Sequence, residues 1–187
     1  MEKNYETRHI YFTIAIIIAI LSPIFYFFVP QTVGDVIHYK EDTWYVSTPQ
    51  ENFTSFAVGC GFLFIASILL FFLNIRKLSI ALSIIFLCFG LFTFYIGSQS
   101  FVSLSNEKIS YSSLFEFKKH TYQWEDIDRV IHYRTETGSY SEFELVFKDG
   151  NRARLDDNAY FREKSDKFGM KLAEYNLFPE LSLVDEP

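Results

Sequence analysis

Long apolar runs without a charged side chain dominate the first half of the chain. Three runs, residues 10–34, 52–75 and 78–106, contain no Asp, Glu, Lys or Arg. A helix that crosses a hydrocarbon core of about 30 Å needs about 20 mostly apolar residues. Each run is long enough, so the sequence predicts an integral membrane protein with three spanning helices, at about residues 10–29, 53–73 and 78–96.

The three predicted spans differ in their local features. The first is longer than the apolar core of a signal peptide and is followed by an aromatic cluster instead of a cleavage site, which indicates an uncleaved helix. Only four residues, Asn74 to Lys77, separate the second and third spans, so these must form a tight antiparallel hairpin. Cys60 and Cys88 fall within apolar runs and are interpreted as lipid-facing or packing residues. The second span also carries small residues that let helices approach closely: Gly59, Gly61, Ala66 and Ser67.

The segment between the first two spans, residues 30–52, has a pattern of its own. Residues 36–39 and 43–46 are β-prone runs on either side of Lys40-Glu-Asp42, which predicts a short hairpin. Because an isolated hairpin is marginal in water, it needs a packing partner. Two alternatives remain open: the hairpin packs on the C-terminal domain, or Trp44 and Tyr45 lie in the bilayer interface.

Orientation follows from the positive charges near the span ends, since Lys and Arg concentrate on the cytoplasmic side. The count favours a cytoplasmic N-terminus, with residues 98–187 outside the cell membrane. The inside set of four outweighs the outside set of two: Lys3, Arg8, Arg76 and Lys77 against Lys40 and Lys108.

Beyond the third span, the apolar period changes to the alternation of β-strands. Alternating segments occur at residues 101–104, 109–111, 114–117, 120–124, 127–134, 142–148 and 151–155, with a turn at Asp149-Gly150. A helix then begins at Asp157 or Asn158 and ends before Pro179. Its apolar stripe recurs at helical spacing: Phe161, Ser165, Phe168, Leu172 and Tyr175. Residues 98–187 are therefore predicted to form one small α+β domain.

Three stretches carry a family resemblance: residues 122–127 (YQWEDI), residues 143–150 (FELVFKDG) and the final helix. Their order resembles the pleckstrin-homology-like (PH-like) domains that many small bacterial membrane proteins join to spanning helices. The resemblance covers roughly residues 99–178. It implies an antiparallel β-sheet or partly open barrel with a C-terminal amphipathic helix. It also implies a cytoplasmic domain, contrary to the charge count, and both topologies stay open.

Composition and motifs limit the partners and the kinds of site that the sequence predicts. The net charge is −6, and the C-terminal half is acidic, which excludes nucleic acid as the expected partner. His120 and His132 lie twelve residues apart, but no third ligand is nominated and no histidine pair has metal-ligand spacing. No nucleophile motif or phosphate-cradling loop occurs, and the spans carry no ionisable side chain of the kind that transporters use. We therefore expect no catalytic residue, metal or cofactor.

One basic group is a candidate ligand site. Arg152 and Arg154 alternate on one strand, and Lys148 lies across the turn. Two interpretations compete: the arginines form cross-strand ion pairs with Glu142 and Glu144, or the three basic residues bind an anionic lipid head group or a small ligand.

These observations predict a non-enzymatic multi-pass membrane protein that presents its PH-like domain at the membrane surface for protein interaction or scaffolding. The alternative is an accessory or sensor subunit whose domain binds an anionic lipid or a small ligand. The expected partners are the lipid bilayer and another membrane or envelope protein, or a second copy of this chain.

Overall fold

The computed structural model describes residues 7–116, 118–138 and 140–184, and it contains three long apolar helices and two four-stranded sheets. The chain divides into two compact units. One comprises residues 1–33 and 50–99, and the other comprises residues 34–49 and 100–187.

The first unit is built from three helices, α1 (Thr7–His38), α2 (Gln50–Phe72) and α3 (Lys77–Gln99), except that residues 34–38 of α1 belong to the second unit. Each is long and apolar enough to cross a membrane, which confirms the three long apolar helices that the sequence predicts. The helix α1 is longer than predicted, since it continues through Pro30 to His38. Pro30 has no N–H to donate, but each residue added beyond it contributes one hydrogen bond without a new nucleus, and this outweighs the β-propensity of residues 36–39.

The helices α2 and α3 form the predicted antiparallel hairpin around small residues. A side chain at Gly59 would lie 2.6 Å from the Phe94 ring, so the two helices approach through this glycine. Ser83 Oγ donates to the carbonyl of Ala66 across the same contact. The inclusion of Gly61 in the contact face was wrong, because it faces open space. Its position, two residues from Gly59, places it on a different side of the helix.

The first sheet contains β1 (Thr43–Ser47), β2 (Phe101–Ser105), β3 (Lys108–Ser112) and β4 (His120–Gln123), antiparallel in chain order. The strand β1 comes from the segment between α1 and α2. The hairpin predicted there was therefore wrong: it is one strand that pairs with β2. Tyr45 is fully buried in the domain core, so this segment packs on the C-terminal domain, and Tyr45 does not lie in the bilayer interface.

The segment after β3 also differs from the alternation predicted for residues 114–117. Leu114 and Phe115 form a turn, and Phe117 lies outside the described residues. The backbone of Phe115 takes a positive φ, which a strand does not permit.

The second sheet contains β5 (Ile127–Arg134), β6 (Ser141–Phe147), β7 (Arg152–Asp156) and β8 (Glu180–Leu183), in the order β7-β6-β5-β8. The strand β8 was not predicted, and it runs parallel to β5. Its four residues follow Pro179 directly and are too few to show a clear alternation.

Two short helices, α4 (Ala159–Arg162) and α5 (Ser165–Glu174), replace the single predicted helix. Asn158 caps the first, accepting from the Phe161 amide at 2.9 Å, as predicted. The interruption lets the Phe161 ring pack on Tyr45 while the Phe168 ring packs on Trp124.

The core of the second unit lies between the two sheets and α5. It is closed by Trp124, whose Nε1 donates to the Ser105 carbonyl at 3.1 Å. Its largest fully buried members come from both sheets, from the 3-10 turn at residues 124–126 and from α4: Tyr45, Leu104, Ile109, Trp124, Val130, Leu145, Phe147, Leu155 and Phe161.

Candidate anion-binding pocket

The two arginines nominated from the sequence lie on β7 and contact a buried carboxylate. Arg152 Nη1 lies 3.2 Å from Glu144 Oε2, and Arg154 Nε lies 3.3 Å from Glu144 Oε1. The Glu144 side chain is 0% exposed, and Arg154 also pairs with Glu142 at 3.6 Å. The structure therefore contains the cross-strand ion pairs, and the charge of the arginines is already compensated within the sheet.

Lys148, the third nominated residue, has a different partner. Its Nζ donates to the backbone carbonyl of Glu125 at 2.6 Å. The arginines and Lys148 therefore have different hydrogen-bonding partners, and the three basic side chains do not form one ligand site.

The two histidines that the sequence analysis considered as metal ligands lie on different sheets. His120, on β4, is 2.8 Å from Glu116 Oε1, and His132, on β5, is 2.8 Å from Ser141 Oγ. Burial lowers the pKa of His132. No group of three His, Cys, Asp or Glu side chains within the described ranges is placed to hold a metal ion.

A different set of side chains forms a pocket on the outward face of the first sheet. Its floor is a row of hydroxyl groups, one from each of three adjacent strands: Ser103 on β2, Ser110 on β3 and Thr121 on β4. Ser110 Oγ and Thr121 Oγ1 are 3.1 Å apart. Because side chains alternate along a strand, the intervening residues Leu104 and Ile109 point into the core.

The rim of this pocket carries three lysines from distant parts of the sequence. Lys40 comes from the connection between α1 and β1, Lys108 from the start of β3, and Lys119 from the approach to β4. The three side chains line a cavity of about 290 Å³ together with the hydroxyl row. We call this arrangement the lysine pocket.

The electrostatics of the lysine pocket favour an anion. Among the described residues, no carboxylate forms an ion pair with Lys40, Lys108 or Lys119. Although much of the Lys119 side chain is exposed, partial desolvation lowers its pKa, and the like charges of Lys40 and Lys108 lower it further. Glu41 and Asp42 line the same cavity and offset part of the positive charge.

An aromatic platform positions one of these lysines. Lys119 Nζ lies 5.5 Å from the centre of the Phe101 ring, within cation–π range. The His38 ring stacks on the same phenylalanine with a centroid separation of 3.7 Å. Ammonium and hydroxyl donors around one small cavity are the groups that bind phosphate or carboxylate oxygens.

No protein-family model matches this chain, and no curated protein does. The pocket must therefore be interpreted from its own chemistry. Sequence reasoning missed it because Lys119 follows Lys40 by 79 positions in the chain. The available signal was the polar alternation of Ser103, Ser105 and Ser110, which marks one polar face of a sheet.

Proposed function

We propose that this chain is a non-enzymatic membrane protein that holds a PH-like domain at the bilayer surface, where the lysine pocket binds an anionic group. The single observation that carries the proposal is the convergence of Lys40, Lys108 and Lys119 over a floor of hydroxyl donors. A carboxylate or phosphate placed there would receive charge-assisted hydrogen bonds, which are stronger than neutral ones.

The order of elements supports a PH-like fold. Four antiparallel strands are followed by three more antiparallel strands and then by a helix that covers the core. Three features depart from that simple plan. The first strand lies between two membrane spans, the helix is interrupted at residues 163–164, and β8 adds a parallel strand.

Chain connectivity supports a position at the membrane surface. The strand β1 ends three residues before α2 begins, and β2 begins two residues after α3 ends. Since β1 pairs with β2, the segments that flank the α2–α3 hairpin lie on the same side of the bilayer.

The ligand class follows from the same contacts. A phosphate group offers several acceptor oxygens and a charge that complements three ammonium groups. A lipid head group and a soluble phosphate monoester share this chemistry. The carboxylates of Glu41 and Asp42 are positioned to disfavour a large polyanion.

Calorimetric titration of the purified full chain tests this proposal. In nanodiscs of uncharged lipid, we expect glycerol phosphate to bind and to be displaced by inorganic phosphate. In nanodiscs with anionic phospholipid, weaker binding of the added phosphate would identify the head group as a competing ligand. Absence of binding in uncharged nanodiscs, together with equal behaviour in both lipids, would overturn the proposed anion site.

The side of the membrane remains a prediction from charge. We propose a cytoplasmic N-terminus and an outward domain, on the basis of Arg8, Arg76 and Lys77 among the described residues, with Lys3 outside them. A Glu107→Cys variant without Cys60 and Cys88 should react with a membrane-impermeant thiol reagent in intact cells. Protection until lysis would instead support the cytoplasmic placement that the family resemblance implies.

Protein interaction or scaffolding is a second candidate, and exposed apolar residues favour it. Phe178, Leu181 and Leu183 are 78%, 65% and 61% exposed, and the two leucines lie on β8, the outermost strand of the second sheet. Replacing both leucines with glutamate should abolish a stoichiometric complex recovered from membranes. A complex that survives the replacement would exclude this surface.

A further inference from the structure

The turn between β3 and β4 presents an aromatic side chain to the surroundings. The Phe115 side chain lies at this turn, and the residue is 72% exposed. Its backbone φ is +66°. A bulky residue is a rare occupant of this region, because its Cβ crowds the backbone. Both the exposure and the backbone conformation cost free energy in water.

The turn is braced around Phe115. The amide of Glu116 donates to the Ser113 carbonyl at 3.0 Å, and Ser112 Oγ donates to the Glu116 carbonyl at 2.8 Å. The Glu116 carboxylate also contacts His120 Nε2 at 2.8 Å, and this hydrogen bond lowers the pKa of Glu116. These contacts fix the backbone on both sides of the ring, so its outward direction is built into the turn.

Strand register places the turn at a defined end of the first sheet. Ser112, the last residue of β3, pairs with Phe101, the first residue of β2. Phe101 follows the end of α3 by two residues, and Ser47, which pairs with Val102, precedes α2 by three. The turn therefore leaves the sheet at the end where the chain connects to two membrane-spanning helices.

The side chains of the turn match the chemistry of a bilayer interface. Aromatic rings concentrate at the level of the lipid head groups, and lysines beside them are attracted to anionic lipid. Here Leu114 and Phe115 are followed by the exposed lysines Lys118 and Lys119. Burial of the Phe115 ring in the interface would recover the free energy that its exposure costs in water.

We propose that this turn inserts Phe115 into the head-group region of the bilayer that holds α1, α2 and α3. The lipid surface is thus the partner that covers the exposed Phe115 ring. This inference rests on the turn and on strand register, so it does not require a ligand in the lysine pocket.

Depth-dependent fluorescence quenching tests the insertion. The full chain, with Cys60 and Cys88 replaced by alanine, would carry a single Phe115→Cys or Glu107→Cys substitution labelled with a polarity-sensitive fluorophore. Glu107 is the matched control, because it is exposed and lies in the β2–β3 turn at the opposite end of the same strands. Each labelled protein would be reconstituted in nanodiscs and quenched by nitroxide-labelled lipid or by aqueous iodide.

We expect lipid nitroxide to quench the probe at position 115 at least threefold more than the probe at 107, and iodide to show the reverse order. Equal iodide access at the two positions would overturn the proposal. A second pair of variants controls for an effect of the label at position 115. Both variants carry the fluorophore at position 114, through Leu114→Cys, and they differ only in having Phe115 or Phe115→Gly. Glycine accepts the positive φ, so the fold should hold while the lipid quenching at 114 falls. Unchanged quenching there would also contradict insertion by the ring.

Discussion

Replacing Lys119 with glutamine is expected to weaken phosphate binding at least tenfold at pH 7. The substitution removes one charge-assisted hydrogen bond, which contributes about 1.5–3 kcal/mol, and a tenfold change corresponds to about 1.4 kcal/mol. Calorimetric titration of glycerol phosphate into the protein in uncharged nanodiscs measures the loss. Lys118→Gln is the matched control, because it removes the same charge one residue away and outside the pocket.

Lys119→Gln should weaken phosphate binding but stabilise the ligand-free protein. The pKa of Lys119 is lowered in the folded protein, so the protonated form is disfavoured relative to the unfolded chain. This destabilising contribution is fully present below the folded pKa and disappears above the unfolded pKa. At neutral pH, Lys119→Gln should therefore raise the melting temperature of the ligand-free protein. A lower melting temperature with unchanged phosphate affinity would contradict the electrostatic interpretation of the pocket.

Binding should also depend on pH with a defined sign. The anion requires protonated Lys119, and the lowered pKa makes this lysine lose its proton at a lower pH than an ordinary lysine. Phosphate affinity should thus fall as pH becomes alkaline. The fall should occur at a lower pH in wild-type protein than in Lys119→Arg, whose guanidinium stays charged.

Replacing both Arg152 and Arg154 with alanine is expected to destabilise the domain by about 2–3 kcal/mol. The Glu144 carboxylate is fully buried and would lose both cationic partners. Breaking a fully buried ion pair costs about 3–5 kcal/mol. The expected effect is smaller because both guanidinium groups are more than half exposed. Denaturant unfolding followed by tryptophan fluorescence measures the change.

A compensating substitution separates this role from ligand binding. Adding Glu144→Gln to the double alanine variant removes the uncompensated charge and should recover part of the lost stability, since residues in one network are not additive. Phosphate affinity of the folded fraction should equal that of the wild type. Loss of phosphate binding in a variant that retains its fold would show that the arginines form the anion site.

Much of the fold follows from the sequence, because each element has a strong local signal. The long apolar helices are predicted by apolar length, β6 by clean alternation, and the helix start by the capping residues Asp157 and Asn158. The strand β1 could be recognised as β-prone, but its partner could not, because α2 and α3 lie between the two strands and Phe101 follows Val46 by 55 positions. Pairing across such a distance is decided by the packing of Tyr45 in the core.

The site was harder to anticipate than the fold. The alternation of Arg152 and Arg154 on one strand indicates a basic patch, yet Glu142 and Glu144 compensate their charge. The burial of Glu144 depends on the surroundings of β6, which alternation alone does not specify. The serine alternation indicates a polar sheet face, but the convergence of the lysines has no local signature, since Lys40 and Lys119 line one pocket only through the fold.

The reactivity of Lys119 with an amine-acylating reagent tests the central claim most directly. The folded membrane protein is labelled for set times, and mass spectrometry then compares the acylation rate of Lys119 with that of Lys118, its neighbour outside the pocket. The lowered pKa leaves more of the neutral amine on Lys119 than an ordinary lysine has, so it should react faster than Lys118, and glycerol phosphate should slow Lys119 but not Lys118. Equal rates for the two lysines, unaffected by the phosphate, would contradict an anion site at this pocket.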